Sequence, residues 1–378
     1  MTAYKIALIP GDGIGKEVVP VGLSAARRAL DVTGSPRIET TELDWSCERY
    51  LREGALMPTD GLTRLAEHDA ILFGAVGLPR VPDHVSLWGL LLPIRQSFDL
   101  YVNLRPVRVL DGILSPLRHG TRETVDMLFI RENTEGEYSG VGGRFHEGSP
   151  DEVALQTAVY TRRGVERIAR YAFERARERR KNVASVTKSN AIQYTAVLWD
   201  EVVRDVAKGF PDVALTSYLV DAAAARMVTE PVSLDVVVAS NLYADILTDL
   251  GAALQGSLGL AASANLDPSR RHPSLFEPVH GSAPQIAGRG IANPMATVWA
   301  AALMLEHLGE RDASALVLRA LERVARAGPR TADVGGQAST SDVGAAIVRG
   351  IGAEDKASTL PGSQPVFGES GPRRRDTD

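Results

Sequence analysis

Leu234 to Asp249, LDVVVASNLYADILTD, is the stretch whose reading decides the fold. Leu234 to Ser240 is an apolar, β-branched run, the mark of a strand buried on both faces. Asn241 can cap the segment that follows, where Ile246, Leu247 and Leu250 form a helical apolar stripe. Asp245 and Asp249 stand four apart, so their Cβ atoms share one helix face about 5–6 Å apart. The pair lies just past the carboxyl end of a parallel-type strand, where open α/β sheets bind ligands. Two like charges there repel unless a cation lies between them, and a hard divalent ion with oxygen ligands suits the place. A solvated helix face with two ordinary acids is the plainer account of such a pair taken alone.

The 378 residues are enough for two domains, and 44% hydrophobic content is ample for their cores. A net charge of −5 argues against a nucleic-acid or anionic-membrane surface. Cys47 is the one cysteine, so no intrachain disulfide forms and a reducing compartment is expected. The first residues enter a strand directly, without a secretion signal, and no apolar run reaches about 18 residues. A soluble, cytoplasmic α/β protein is the expectation.

Outward from the central stretch, Tyr4–Pro10 reads as a first strand, with a turn at Gly11-Asp12-Gly13-Ile14-Gly15 and a helix to about Leu30. That turn is G-x-G-x-G, not the G-x-G-x-x-G of a dinucleotide cradle, and no acidic residue closes a second strand at the right distance. A tight strand-to-helix turn accounts for it. Further strands are expected over 37–43 and 69–76, with Trp45 and Cys47 as packing residues between them. Arg95 falls on a helix, Arg105 in an extended segment before Pro106, and Arg131 at the end of a strand over 125–130. Guanidinium groups bind carboxylates bidentately, so three converging arginines would hold a small dianionic acid. Each alone would more often be an ion-pair partner on the surface.

Residues 131–140 read as a loop from which Tyr138 could project its phenol into a site or bury it in the core. Residues 153–161 alternate as an arm or hairpin strand would, a plausible dimer contact. Lys188 follows a strand over 183–187 and precedes a helix bearing Ile192 and Trp199, where it could reach the same crevice or lie free on the surface. Asp221 ends a strand over 213–220, a third carboxylate at a carboxyl edge. After Gly251, GSLGLAASANL and SLFEPVHGSAPQIAGRGIANP read as loop that can wrap a planar ligand, ending with Asn293 as cap of a long apolar helix closed by Gly309. Two further helices are expected over 312–327 and 342–349. Residues 354–378 are polar, rich in Pro and Gly, and expected to be disordered.

Taken together, IPGDGIGKEV, NLRP, IRENTEGEYSG, TKSN, NLYADILTDL and FEPVHGSAPQIAGRGIANP resemble the isopropylmalate and isocitrate dehydrogenase family over about residues 4–350. Within it, VPDHVSLWGLLLPIRQSFDLYVNLRP is most similar to the branch of decarboxylating tartrate and D-malate dehydrogenases. The resemblance implies a two-domain isopropylmalate-dehydrogenase-like α/β fold with open, mostly parallel sheets. The active site would lie in the cleft between the domains, and the cofactor site would not be of Rossmann type. Residues 1–100 with 256–353 would form a discontinuous cofactor-binding domain. Residues 101–255 would hold substrate and metal and make the dimer, through an arm near 135–162.

The same resemblance implies Arg95, Arg105 and Arg131 as clamps on substrate carboxylates, and Tyr138 and Lys188 as acid–base residues. Asp221, Asp245 and Asp249 would ligate Mg²⁺ or Mn²⁺, with Lys188 and Asp221 supplied by the other subunit of a homodimer. His280, Gly281, Ser282, Ala283 and Asn293 would hold the adenosine half of NAD, and K⁺ could assist. The chemistry so implied is oxidation of a 2-hydroxy dicarboxylic acid, then loss of the carboxylate β to the new carbonyl. Lys188 would take the hydroxyl proton and Tyr138 protonate the enol carbon. D-malate to pyruvate and CO₂ is the leading expectation, with tartrate also a substrate.

Two positions depart from the family pattern. Trp88 stands where isopropylmalate enzymes carry an acid, and its bulk favours a substrate with little on Cγ, although it could form an apolar wall instead. Gln285 replaces the Asp that in NAD-dependent members accepts from the ribose hydroxyls and repels a 2′-phosphate. No basic residue suited to NADP stands there, so the expected preference is for NAD, weakened. Oxidation of 3-isopropylmalate and a non-catalytic metal- and anion-binding regulatory module are the rival functions, the latter leaving Tyr138 and Lys188 idle. A phosphotransfer loop at Gly11 lacks the required G-K-[ST].

Overall fold

A computed structural model describes residues 3–353; the tail over 354–378, expected to be disordered, lies outside the described residues. The strands are β1 (Ala3–Gly11), β2 (Arg37–Glu42), β3 (Ala70–Ala75), β4 (Val102–Arg108), β5 (Asp126–Glu132) and β6 (Gly136–Phe145). They continue as β7 (Val153–Val159), β8 (Asn182–Thr187), β9 (Ala214–Leu219), β10 (Val236–Ala239), β11 (Ala262–Leu266) and β12 (Ser274–Pro278). The chain divides into two compact units.

The first unit takes the chain up to Leu100, Arg108–Val125 and the chain from Ala252 on. Its strands run in the order β2-β1-β3-β12-β11, parallel except for β11 against β12. Every residue of β3, AILFGA, is buried, as a central strand covered on both faces requires. Edge strand β2, RIETTE, turns charged and hydroxyl side chains outward, which discourages pairing with a foreign strand. The helix Met295–Leu308 is buried on all sides and packs on the helix Gly15–Thr33. Trp45 and Cys47 lie in an apolar cluster with Ile9, Phe73, Leu90 and Ile94, the packing role expected of them. Residues 108–125, grouped with the second domain in the sequence reading, belong to this unit. Arg108 is ion-paired to the buried Glu322 at 2.7 Å, and Gly112 lies against the backbone of Arg326.

The second unit is Tyr101–Val107 with Asp126–Gly251, in strand order β4-β5-β10-β8-β9. Strands β5, β10, β8 and β9 are parallel, and all four residues of β10, VVVA, are buried. The helix Arg162–Arg177 buries Val165, Ile168, Ala169, Ala172, Phe173 and Ala176, and Thr161 caps it by accepting the Gly164 N–H at 2.9 Å. Strands β6 and β7 form an antiparallel hairpin that leaves Val141, Phe145, Val153 and Leu155 exposed.

Several expectations change. Tyr138 is not on a loop but on β6, whose partner β7 lies beyond the reach of a local reading. Ala262–Leu266 and Ser274–Pro278, read as loop, are buried strands; ASANL carries small residues, and burial rather than β-propensity makes it a strand. Ile192 precedes its helix, which begins at Thr195. Ile246 is 59% exposed, and the buried stripe of the helix Asn241–Gln255 runs instead through Ala244, Leu247 and Thr248.

Candidate active site

In the second unit, β5 and β10 pair with Arg131 opposite Ala239, which brings the arginine beside the start of the helix Asn241–Gln255. Arg131 is 2% exposed. Its Nε and Nη2 donate to Asn241 Oδ1 at 3.0 and 2.6 Å, and its Nη1 donates to Asp245 Oδ1. Asn241, expected as a helix cap, thus spends its carbonyl on the guanidinium and donates its amide to the Glu135 carbonyl at 3.1 Å. Arg105, on β4, donates to Thr248 Oγ1 at 2.5 Å and reaches Asp245 at 3.5 Å. The Tyr138 hydroxyl donates to Asp245 Oδ2 at 3.2 Å, and its ring lies 5.7 Å from the Arg131 guanidinium carbon. Arg105, Arg131 and Tyr138 therefore converge on Asp245. Burial and the Asp245 charge push the Tyr138 phenol up, against the pull of Arg131.

Asp249, one turn on, has its carboxyl raised first by burial and also by Asp245, with Arg105 and Arg131 pulling the other way. A divalent cation between the two carboxylates would favour both charged forms, and all-oxygen donors suit Mg²⁺ or Mn²⁺. The third expected ligand is elsewhere. Lys188, in the turn after β8, donates to Asp221 Oδ1 at 2.8 Å, and this pairing is the main reason the Asp221 carboxyl lies low. Asp221 opens the helix Val220–Thr229, its side chain 66% exposed. Among the described residues no three His, Cys, Asp or Glu side chains form a metal cluster. The structure thus joins Asp245 with Asp249, and Lys188 with Asp221, as two separate groups.

In the first unit, consecutive helical segments Asp83–Ser86, Leu87–Leu91 and Leu92–Ser97 carry Trp88 and Arg95, the middle one π-helical. A π-turn interrupts the regular register and is frequent at functional sites. Trp88 is 39% exposed, while Arg95 is buried and bonded to Glu277 Oε1 at 2.8 Å. Glu277 in turn accepts from Asn265 Nδ2 at 2.8 Å. The third arginine of the expected clamp is therefore ion-paired within its own unit.

The loop after β12 is held by the glycine turn after β1. Ile14 N–H donates to the Ser282 carbonyl at 2.9 Å, and a Cβ on Gly13 (φ +56°) would lie 2.0 Å from that same oxygen. Gly11 (φ +71°) meets the Ala75 carbonyl as closely, at 1.9 Å. The buried carboxylate of Asp12 accepts the amides of Cys47 and Gly77, at 2.9 and 3.0 Å, and fixes the turn. Farther along, Glu17 accepts the Gly288 N–H at 2.6 Å, and Ala283, Ile286 and Ala287 pack on Ile14, Val18 and Ala292. The glycine motif is thus a seat for the loop, which is why it lacks the spacing of a phosphate cradle. Cys47 beside it is inert, its thiol pushed up to about 12 by burial and by Asp12.

His280 gives the loop a recognition atom. Its Nδ1 lies 3.0 Å from the Gly281 carbonyl, so the tautomer that donates there leaves Nε2 an acceptor, buried and without a partner among the described residues. Burial lowers the pKa of this imidazole and keeps it neutral. Such an acceptor fits an adenine amino group. Gly281 has open space around it, and Gln285 is exposed with no side-chain hydrogen bond among the described residues. Asn293 is already engaged: Oδ1 accepts the Met295 N–H at 3.0 Å, and Nδ2 donates to Asp333 at 3.0 Å. Asn241, Thr248, Glu277, Gly13 and Glu17 escaped the sequence reading as site residues. The i,i+4 and i,i+3 spacing of Asn241 and Thr248 from Asp245 is the signal that could have found the first two.

A parallel α/β scaffold with a carboxylate pair beside two buried arginines, and a glycine-seated loop with a neutral histidine, suits a dehydrogenase of a small acid. The chain belongs to the isocitrate/isopropylmalate dehydrogenase family, whose model matches residues 5–347. It is 54% identical over 352 residues to a probable tartrate dehydrogenase/decarboxylase of Agrobacterium vitis, covering 93% of this chain and 98% of the relative. It is 50% identical over 357 residues to a decarboxylating D-malate dehydrogenase of Escherichia coli (strain K12), covering 92% and 99%. The crystal structure of isocitrate dehydrogenase from Methylococcus capsulatus superposes with a TM-score of 0.81 at 37% identity, covering 92% and 99%. The fold is that of this family.

Proposed function

We propose that the chain is a metal-dependent, NAD-linked decarboxylating dehydrogenase of a 2-hydroxy dicarboxylic acid. Its leading reaction is D-malate + NAD⁺ → pyruvate + CO₂ + NADH, with tartrate as a second substrate. The observation that carries this reading is the convergence of Arg105, Arg131 and Tyr138 on Asp245, in a chain about half identical to relatives with those names.

Arg105 and Arg131 are buried cations that bind and orient the substrate carboxylates, and Arg95 would join them by exchanging Glu277 for substrate. Asp245 and Asp249 would hold Mg²⁺ or Mn²⁺, and His280, Gly281, Ser282, Ala283, Gln285 and Asn293 the adenosine half of NAD. When bound, the metal stabilises negative charge on the substrate's C2 oxygen and NAD accepts the hydride. Lys188, freed from Asp221, takes the C2 hydroxyl proton. Tyr138, kept protonated by burial and by Asp245, gives its proton to the enol carbon after CO₂ leaves. Trp88 walls the side of the pocket that a larger γ-substituent would need.

Lys188 and Asp221 serve the site of a second copy in a homodimer. Their separation from the Asp245 group and the exposed apolar residues of the β6–β7 hairpin support this. Among the described residues no helix is long and apolar enough to cross a membrane. K⁺ is a candidate activator.

The test is NADH formation on D-malate, L-tartrate, meso-tartrate, 3-isopropylmalate and isocitrate, with Mn²⁺ and K⁺, with and without EDTA. Turnover led by D-malate or tartrate and abolished by EDTA is expected; turnover led by 3-isopropylmalate would overturn the substrate assignment. Tyr138→Phe should retain oxidation while pyruvate formation falls by about 10²–10⁴-fold, the usual reach of one general acid. Unchanged pyruvate formation would remove Tyr138 from that role.

A further inference from the structure

At the opposite end of the first unit's strands from the glycine turn lies a cavity of about 140 Å³. Its lining includes Tyr4, His68, Asp69, Arg270, Arg271 and His272. Tyr4 is the second residue of β1, Asp69 precedes β3 and Pro273 precedes β12, and β12 runs parallel to β3 from Ser274 opposite Ala70. The loop with His280 leaves the far end of β12, roughly 20 Å away at about 3.3 Å per residue. The cavity is therefore not part of the candidate active site.

The turn that joins β11 to β12 is built to hold Arg270 here. Asp267, 1% exposed, accepts the Ser269 N–H at 3.0 Å, the Ser269 hydroxyl at 2.5 Å, the Arg271 N–H at 2.8 Å and the His272 N–H at 3.2 Å. This network holds Arg270 at φ +54°, a left-handed backbone costly for a side chain of its size. The guanidinium so placed is partly buried, has Nε shut off from water and forms no ion pair or hydrogen bond among the described residues. Asp69, the one acid among the described lining residues, instead accepts the Lys5 N–H at 2.7 Å. His307 behind Arg270 is buried and stays neutral, pushed down to about 3 by burial and by the arginine's charge. His68 uses Nδ1 on the Arg64 carbonyl, which leaves Nε2 for a ligand, and His272 is stacked on Phe98.

A guanidinium stays charged at any physiological pH, and burying one without a counter-ion is unfavourable. Strain and a buried carboxylate network are here spent on creating that situation. We propose that this cavity is a second ligand site, which binds a compact oxyanion of the phosphate class on Arg270, with Arg271, His68 and His272 at its mouth. The oxyanion is free phosphate or the phosphoryl group of a larger ligand.

Calorimetric titration of the full chain with inorganic phosphate tests this, in the wild type and in Arg270→Met, Arg270→Lys and Arg131→Gln. Arg270→Met should weaken phosphate binding at least tenfold and Arg270→Lys less, while Arg131→Gln leaves it unchanged. In phosphate-free buffer Arg270→Met should melt at or above the wild type, because an unpaired buried charge has been removed. Undiminished binding in Arg270→Met, or loss in Arg131→Gln, would overturn the proposal, the latter by placing the anion in the substrate pocket. A melting point well below wild type for Arg270→Met in phosphate-free buffer would also overturn it, by giving the arginine to the fold. Titration with glycerol 3-phosphate, which carries no adenosine for the His280 loop, separates the two sources: tenfold tighter binding than phosphate identifies a phosphoryl group, and equal binding identifies the free anion. Acetate competing as well as phosphate would sink the phosphate class.

Discussion

Around Asp245 the site is made of side chains; around His280 it is made of backbone. In the second unit two buried guanidinium groups and a phenol meet on the Asp245 carboxylate, and the Asn241 amide oxygen holds one of the two guanidinium groups. Each member is held by another, so the charges are in place before any ligand arrives. In the first unit the loop is positioned by two glycines with no room for a Cβ, by amides donating to Ser282, Asp12 and Glu17, and by small apolar contacts. The contrast suits the ligands proposed for the two halves. A dianionic acid and a divalent ion need fixed charge of both signs, whereas a flat, largely neutral adenosine needs shape and a few directed hydrogen bonds.

If the charged half is organised on Asp245, Asp245→Ala should lower kcat/KM by ~10³-fold or more, beyond what one removed hydrogen-bond donor usually costs. The rise in Tm that Mn²⁺ gives the wild type should vanish with it. Less than a tenfold loss would show that Asp249 alone can organise the site. Gly13→Ala attacks the other half, and NADH affinity should fall by ~10–100-fold, with the Mn²⁺ response intact. Fluorescence titration with NADH reads this directly, and an unchanged curve would detach the glycine turn from cofactor binding.

Acid separates the halves in another way. Burial holds His307 in the first unit at about 3, below its unfolded value near 6.5, so it favours the fold when neutral. That stability is fully present above pH ~6.5 and is lost as the pH falls toward 3. Between pH ~6.5 and ~5 the loss should be about 2 kcal/mol, at 1.36 kcal/mol per pH unit. Urea unfolding at the two pH values should show this in the wild type and a flatter dependence in His307→Asn; equal slopes would count against it. The smallest effect is expected at exposed Gln285. Gln285→Asp should raise the ratio of kcat/KM for NAD over NADP by about tenfold, or 1.4 kcal/mol, and an unchanged ratio would leave that position without a voice in cofactor choice.

The side-chain half was the more legible in sequence. Arg105, Arg131, Tyr138, Asp245 and Asp249 each carry a functional group, and the places of Arg131 at a strand end and of Asp245 and Asp249 on one helix face could be read from local pattern, whereas Tyr138, expected on a loop, lies on β6. The backbone half showed only as glycines and prolines, which say that a turn exists but not what it touches. Gly13 read as a tight turn, and its seat under Ser282, more than 250 residues away in the chain, had no local signal. The same limit hid β11, whose small residues become a strand through burial, and β6, which needs β7 as a partner. It also hid the Arg95–Glu277 pair, which joins a helix to a distant strand.

By itself the sequence determined the α/β class, the central buried strand with its acidic helix, and the family. Periodicity and residue chemistry are local properties, and several motifs in a fixed order are specific in combination. Tertiary structure alone decided that Asp245 is the meeting point of Arg105, Arg131 and Tyr138, that Lys188 and Asp221 stand apart as a pair, and that Arg270 is partly buried without an ion pair among the described residues. Each of these depends on which side-chain groups, distant in the chain, come within about 3 Å of one another, and hydrogen bonds and ion pairs act only at that range.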